Sequence, residues 1–232
     1  MLIALSALCL SCTIDYGTPA TRNFAIDGSV SALDVSSAFL VTMSDKVNDV
    51  EVTVGENAFD KVVVKVKNGT LRIGFKLGTM YSGTPTAVIP SDIQLEDLEL
   101  SGASSFTGNL EGKDVDIELS GASIFKGKVE ATDLDVELSG ASVANINGFC
   151  QETMHIELSG ASDLRAANLQ SQAVKGLMSG GSYADLTCCT SLKVSLSGGS
   201  HLTYDLASDD CDPSISCFTS GGSTADRWSP KK

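Results

Sequence analysis

A short motif occurs seven times in the second half of this chain at nearly constant spacing. It consists of serine, glycine, a small residue and serine, and the copies follow one another at intervals of 19, 19, 20, 20, 18 and 23 residues. The motifs begin at Ser101, Ser120, Ser139, Ser159, Ser179, Ser197 and Ser220. A repeat of this period with strand-forming residues between the copies is typical of a solenoid, in which each repeat contributes one coil.

The residues before each motif alternate between apolar and polar side chains. In the first copies the sequences Asp-Leu-Glu-Leu, Asp-Ile-Glu-Leu and Asp-Val-Glu-Leu precede the serine. A period of two indicates a β-strand with one inward and one outward face. A second apolar column follows the motif, beginning with Phe106 and Phe125. Each copy therefore predicts two short strands joined by a corner, in coils of about 19–20 residues.

The motif itself has the composition of a tight corner. Glycine adopts the positive φ angles that a sharp bend needs, and a small neighbour lets the next coil approach closely. We therefore interpret the serines as structural. A catalytic serine is not indicated, because the GxSxG pattern is missing and seven equivalent serines cannot all be nucleophiles.

Stacking the coils predicts columns of like charge on the outer face. We call the seven carboxylates in these columns the acidic ladder. They are Asp97, Glu99, Asp116, Glu118, Asp135, Glu137 and Glu157. Like charges about 4.8 Å apart repel, so a cation, a basic partner or solvation should offset them. Ca²⁺ is the candidate cation, and a solvated acidic face is the simpler alternative. In the last three copies Lys175, Leu177, Lys193 and Phe218 replace the acidic pattern, and the apolar residues among them suggest a contact surface.

Net charge and cysteine usage exclude some functions. The formal net charge of −13 argues against nucleic-acid binding. Cys211 and Cys217 flank five residues in the longest interval between repeats, so they are the easiest pair to close as a disulfide. No metal site is indicated with confidence, since the sequence has only two histidines and its one CxxC, from Cys9 to Cys12, lies in the N-terminal apolar run.

The N-terminus indicates export. Residues 1–12 are an uncharged apolar run that fits a signal peptide, and Leu10-Ser11-Cys12 resembles a lipobox whose cysteine receives lipid. A plain signal peptide cleaved nearby is the alternative. We predict a polar tether over 13–22 and a single β-solenoid domain over 23–232. Its first part is irregular β-structure, and the repeats begin at about residue 93. We expect almost no helix.

These features together resemble a known family. An exported N-terminus precedes Val-Ser-Ala-Leu-Asp-Val-Ser-Ser-Ala-Phe, then Asp-Lys-Val-Val-Val-Lys-Val-Lys-Asn-Gly-Thr-Leu-Arg-Ile, then tandem Leu-Ser-Gly-Ala-Ser units. The sequence is similar to the putative auto-transporter adhesin, head GIN domain family of Bacteroidetes-type exported lipoproteins, over roughly residues 24–226. The resemblance implies an all-β, right-handed parallel β-helix-like solenoid and supplies no catalytic residues.

The function expected from the sequence is binding without catalysis. We predict a cell-envelope lipoprotein, at the outer membrane or cell surface, whose extended solenoid face binds a glycan or a protein in adhesion. The alternative is a polysaccharide-active enzyme of the pectinase or lyase type, since β-helices host such chemistry. No cofactor other than Ca²⁺ is expected, the membrane contact is a lipid anchor, and a homo-oligomer is a further prediction.

Overall fold

The repeats form the coils of a β-solenoid in the computed structural model, which describes residues 16–208 and 210–227. The strands are β1 (Pro19–Phe24), β2 (Ala32–Val35), β3 (Leu40–Ser44), β4 (Val50–Gly55), β5 (Val62–Lys67), β6 (Thr70–Phe75), β7 (Thr86–Pro90), β8 (Asp97–Leu100), β9 (Ser105–Thr107), β10 (Leu110–Leu119), β11 (Ile124–Leu138), β12 (Val143–Leu158), β13 (Asp163–Met178), β14 (Tyr183–Leu196), β15 (His201–Leu206), β16 (Ser214–Thr219) and β17 (Thr224–Arg227). One 3₁₀ helix, Glu56–Lys61, lies among the described residues. The all-β solenoid prediction is confirmed.

Two stacks of parallel strands meet at the serine-glycine corners. Before the corners the order is β6-β2-β8-β10-β11-β12-β13-β14-β16. After them it is β7-β3-β9-β11-β12-β13-β14-β15-β17. Strands β11 to β14 run from one corner to the next, and the pairings of β11 with β12, β12 with β13 and β13 with β14 each shift register midway.

The core consists of stacked aliphatic side chains, as the alternation predicts. The residues just before the corners are 0–2% exposed from Leu100 to Leu196. Phe106 and Phe125 stack with ring centroids 5.8 Å apart. Burying an aliphatic or aromatic side chain contributes about 1.5–3 kcal/mol, so these columns supply most of the stabilisation.

Each corner hydrogen-bonds to the corner of the preceding coil. Gly121 and Gly140 have φ angles of 73° and 71°, in the left-handed region. The Ala141 N–H donates to the Gly121 carbonyl at 2.7 Å, and the buried Ser123 hydroxyl donates to the Ser120 carbonyl at 2.8 Å. Ser142, Ser200 and Ser223 donate in the same way, whereas the buried hydroxyls of Ser104, Ser162 and Ser182 have no hydrogen-bond partner among the described residues. The serine hydroxyl therefore closes four of the seven corners, which agrees with a structural role there.

An additional coil precedes the first motif. Strands β2 and β3 join through residues 36–39, and Phe39 occupies the buried position that serine holds in later coils. The Ser101 N–H donates to Val35 at 2.9 Å and the Ser105 N–H donates to Phe39 at 2.8 Å. The regular stack therefore extends about sixty residues further towards the N-terminus than the motif shows.

Antiparallel strands cover the N-terminal end of the stack. Strand β5 pairs with β6 through a turn at Asn68 and Gly69, both with positive φ, as the Asn-Gly signal predicts. On the other side β7 pairs with β4, and β4 pairs with β1.

The predicted tether is wrong for the residues that the structure describes. Strand β1 begins at Pro19 and pairs along its length with β4, from Pro19 opposite Gly55 to Phe24 opposite Val50. The Thr21 and Thr53 hydroxyls are 2.7 Å apart. An open edge of β4 makes backbone hydrogen bonds available to a polar segment, so composition alone did not reveal this strand. The predicted signal peptide and Cys12 lie outside the described residues.

Candidate functional site

The acidic ladder stacks in register on the outer face of the strands that precede the corners. Glu99, Glu118, Glu137 and Glu157 are consecutive partners across β8, β10, β11 and β12. Asp97, Asp116 and Asp135 form the neighbouring column. All seven residues are exposed. Neighbouring strands lie about 4.8 Å apart, so each carboxylate has another one coil away.

Residues outside the repeats complete the two columns. Asp34 continues the glutamate column on the N-terminal side, where its carboxylate accepts a hydrogen bond from Arg72 Nε at 2.6 Å. Sequence analysis missed this pair, although Leu33-Asp34-Val35 has the same alternation as Leu98-Glu99-Leu100. In the other direction His155 is the partner of Asp135 in the aspartate column, and Lys175 and Lys193 follow it.

The electrostatics of the ladder favour proton uptake. Partial burial raises the pKa of Glu99, Asp116 and Glu137, and the neighbouring carboxylates raise it further. By contrast, the hydrogen bond and charge of Asp34 raise the pKa of Arg72 and keep it cationic. The N-terminal end of the column is therefore neutralised, whereas its middle carries mutually repelling charges.

A shallow groove of about 300 Å³ runs along the stack between the glutamate column and the first serines of the corners. We call it the ladder groove. Its lining includes Glu99, Glu118, Glu137, Glu157, Ser139 and Leu177. A second hollow of about 350 Å³ continues it past Leu177 towards Phe218. Binding here would take place across consecutive coils on an open surface, because the lining residues share one sheet face.

The ladder is not organised as a metal centre among residues 16–208 and 210–227. No group of three or more His, Cys, Asp or Glu side chains in this part of the chain lies in an arrangement that could hold a metal ion. Ca²⁺ takes six to eight oxygen ligands, whereas a flat row of side chains offers oxygens from one side. Calcium binding at the ladder stays a prediction.

The disulfide differs from the predicted one. Cys211 bonds to Cys189, with their Cα atoms 4.9 Å apart, and the predicted Cys211–Cys217 pairing is wrong. Cys217 lies in the inward column opposite Val194, where burial raises the pKa of its thiol. Cys189 lies in β14 between the part that pairs with β15 and the part that pairs with β16, and Cys211 lies in the loop between those two strands. The alternation of the repeat already placed Cys217 among inward residues, so this signal was available in the sequence.

The other two free thiols in the described part of the chain are buried. Cys150 and Cys188 are 2% and 0% exposed, and burial raises the pKa of each to about 11. A thiol with such a pKa is almost entirely protonated at neutral pH and is a poor nucleophile. These cysteines are core residues.

The fold and the outer groove define a β-solenoid protein with an extended open groove on one face. A family model described as "Putative auto-transporter adhesin, head GIN domain" matches residues 31–205, and the chain belongs to this family. This confirms the resemblance seen in the sequence. A search of curated proteins finds no match.

Solved structures share the fold at low sequence identity. A putative adhesin from Bacteroides fragilis NCTC 9343 is 19% identical, with 91% of this chain and 97% of that chain covered and a TM-score of 0.78. A putative lipid binding protein from Parabacteroides distasonis ATCC 8503 is 20% identical, covers 92% and 98%, and has a TM-score of 0.68. A putative adhesin from Parabacteroides merdae ATCC 43184 is 18% identical, covers 92% and 97%, and has a TM-score of 0.63.

Proposed function

We propose that this chain is a cell-surface binding module that acts in adhesion and holds a glycan or a protein on the outer face of its solenoid. The observation that carries the proposal is the ladder groove, an open surface that crosses successive coils from Glu99 to Leu177. Stacked coils of this kind give extended binding surfaces. Membership of a family described as adhesin supports the same role.

Binding fits the groove better than catalysis of polysaccharide cleavage does. Glycosidases use two carboxylates that face each other across the bond to be broken, with environments that separate their pKa values. In the ladder the carboxylates stand side by side on one face, in register with their equivalents. Burial and neighbouring carboxylates raise the pKa of Glu99, Asp116 and Glu137 alike. This side-by-side arrangement supports binding as the proposed function in preference to hydrolysis.

Export and anchoring are part of the same proposal. We infer from the sequence that the chain is exported and held at the outer membrane or cell surface by lipid on Cys12, with the solenoid presented to the outside. Among the residues described, no helix has the length and apolar character needed to span a membrane. Labelling cells with radioactive palmitate tests the anchor. Label should enter the wild-type chain and be lost in Cys12→Ala, and equal labelling of both would refute it.

Adhesion itself is tested with beads that carry the purified full-length protein. The beads are placed on arrays of glycans and of extracellular-matrix and bacterial-surface proteins, with heat-unfolded protein as the control. We expect saturable retention on a subset of spots and no release of reducing ends from the glycans. Retention that is equal for folded and unfolded protein, or turnover of a glycan, would overturn the proposal.

A further inference from the structure

The ladder groove ends in an apolar notch. Leu177 and Phe218 are 56% and 63% exposed, and they flank Ser195 in the same outward column. The small serine between two large side chains leaves the hollow of about 350 Å³, whose lining also includes Met178 and Leu196. Leu177 lines both hollows, so the acidic and the apolar parts form one continuous surface.

The carboxylates along this surface form no ion pair among the described residues, and only Glu99 has a neighbouring cation, Arg72, whose charge opposes the rise in its pKa. Among the described residues, the ion pairs involve other acidic groups, such as Asp34 with Arg72 and Asp163 with Arg165, and none of the seven members of the ladder. Mutual repulsion contributes to the raised pKa of Glu137. A cationic ligand would therefore relieve repulsion as well as gain attraction.

The distribution of charge along the outer face also favours one orientation of a bound ligand. Lys175 and Lys193 stand in the aspartate column beside the notch, in register with His155 and with each other. They repel the cationic part of a ligand from the apolar end. Positive groups are therefore favoured along Glu99 to Glu157, and an apolar group is favoured between Leu177 and Phe218.

We propose that the ladder groove and its notch bind an extended basic polypeptide segment with one large apolar side chain near its end. The seven coils from Glu99 to Phe218 span about 29 Å at 4.8 Å per coil, which an extended peptide covers with about nine residues. Anionic glycans are repelled by the same carboxylates, and a neutral glycan gains nothing from their charge. This inference rests on the proposed binding function and names its partner class.

The probe is a fluorescein-labelled decapeptide with four lysines in its first half and one tryptophan near its end, titrated against the full-length protein by fluorescence anisotropy. Two further peptides replace the lysines with glutamates or the tryptophan with serine. We expect binding of the first peptide that weakens as salt rises from about 50 to 200 mM, because exposed charges are then screened. The glutamate peptide should not bind.

Matched variants locate the binding. Because each exposed ion pair contributes modestly, Glu118→Gln combined with Glu137→Gln should weaken binding about tenfold. The control is Glu96→Gln combined with Glu111→Gln, which removes the same charge from a separate cleft and should leave binding unchanged. Leu177→Ser should weaken binding of the tryptophan peptide and leave the serine peptide unaffected.

Two results would overturn the proposal. The first is an equal loss of peptide affinity in the groove and control variants, which would indicate that the net charge of the protein alone determines binding. The second is binding of an anionic polysaccharide to the protein in the absence of peptide that is lost in the Glu118→Gln and Glu137→Gln variant. The adhesion test separates this inference from the proposed function. Beads that adhere equally with and without Glu118→Gln and Glu137→Gln would refute the basic-peptide groove and leave adhesion standing. Peptide binding without adhesion to any surface would refute the adhesion function and leave the basic-peptide groove standing.

Discussion

Replacing the corner glycine Gly140 with alanine tests how closely the coils approach. An alanine Cβ at this position would lie 2.5 Å from the Gly121 carbonyl oxygen and 3.1 Å from the Gly121 nitrogen, in backbone that cannot move away alone. The same oxygen accepts the hydrogen bond from Ala141 N–H at 2.7 Å. The substitution must therefore either separate two coils or break that bond.

Gly102 provides the matched control, because its φ of 78° is close to the 71° of Gly140. A Cβ at Gly102 would have its nearest contact at 3.5 Å, to the Ser37 nitrogen. Gly102→Ala should therefore lower the free energy of unfolding only by the penalty of a left-handed backbone at alanine, about 1–2 kcal/mol. Gly140→Ala should cost this and an overpacking penalty of about 1–3 kcal/mol.

The measurement is urea unfolding of both full-length variants, followed by circular dichroism at neutral pH. We expect Gly140→Ala to lower the free energy of unfolding by about 1–3 kcal/mol more than Gly102→Ala does. Gly140→Asn sharpens the comparison, because asparagine tolerates the left-handed region and still adds a Cβ. Equal losses in Gly102→Ala and Gly140→Ala, or full rescue by asparagine, would refute close approach as the reason for glycine.

Three further predictions concern charge and sulfur. Glu137→Gln should stabilise the protein at pH 7 and low salt by under about 1 kcal/mol, because burial and neighbouring carboxylates raise the pKa of Glu137 and make its ionisation costly. In urea titrations this gain should decline as pH falls through the raised pKa and disappear below 4.5. Cys211→Ala should cost about 3 kcal/mol and make melting insensitive to reductant, whereas Cys217→Ala should keep that sensitivity. Cys150 and Cys188 should react with Ellman's reagent at pH 8 only after unfolding.

The repeated part of the fold could be predicted because every coil poses the same packing problem. Inward positions require apolar residues, corners require small residues, and outward positions accept many residue types. Because the sequence contains seven copies of this pattern, the pattern is easy to recognise. The acidic ladder followed directly, since a fixed spacing places equivalent carboxylates in register. What the repeat could not show was the coil formed by β2 and β3, in which Phe39 replaces the buried serine and Ser37 and Ala38 adopt positive φ without glycine.

The remaining features depend on contacts between segments that are far apart in sequence. Strand β1 exists because β4 offers an edge, and a polar sequence carries no local signal of that edge. The disulfide joins residues 22 positions apart because the loop that carries Cys211 folds back onto β14 at Cys189. Short sequence distance favoured Cys217, but the alternation of its strand turns that side chain inward. For a cysteine in a solenoid, the face of the strand is a better guide to its partner than proximity is.

The inward and outward faces of each coil contribute differently to stability, which explains why a repulsive ladder is compatible with a stable fold. Each coil buries several aliphatic side chains, and each contributes about 1.5–3 kcal/mol. A pair of carboxylates one coil apart costs about 0.9 kcal/mol in water, and less with salt. The inward columns therefore outweigh the outward repulsion in every coil. The ladder is an unfavourable interaction that the proposed basic peptide would relieve, so relief of this repulsion would contribute to the free energy of binding. On this reasoning, variants that stabilise the free solenoid by neutralising Glu118 or Glu137 should be the ones that bind a basic peptide least well.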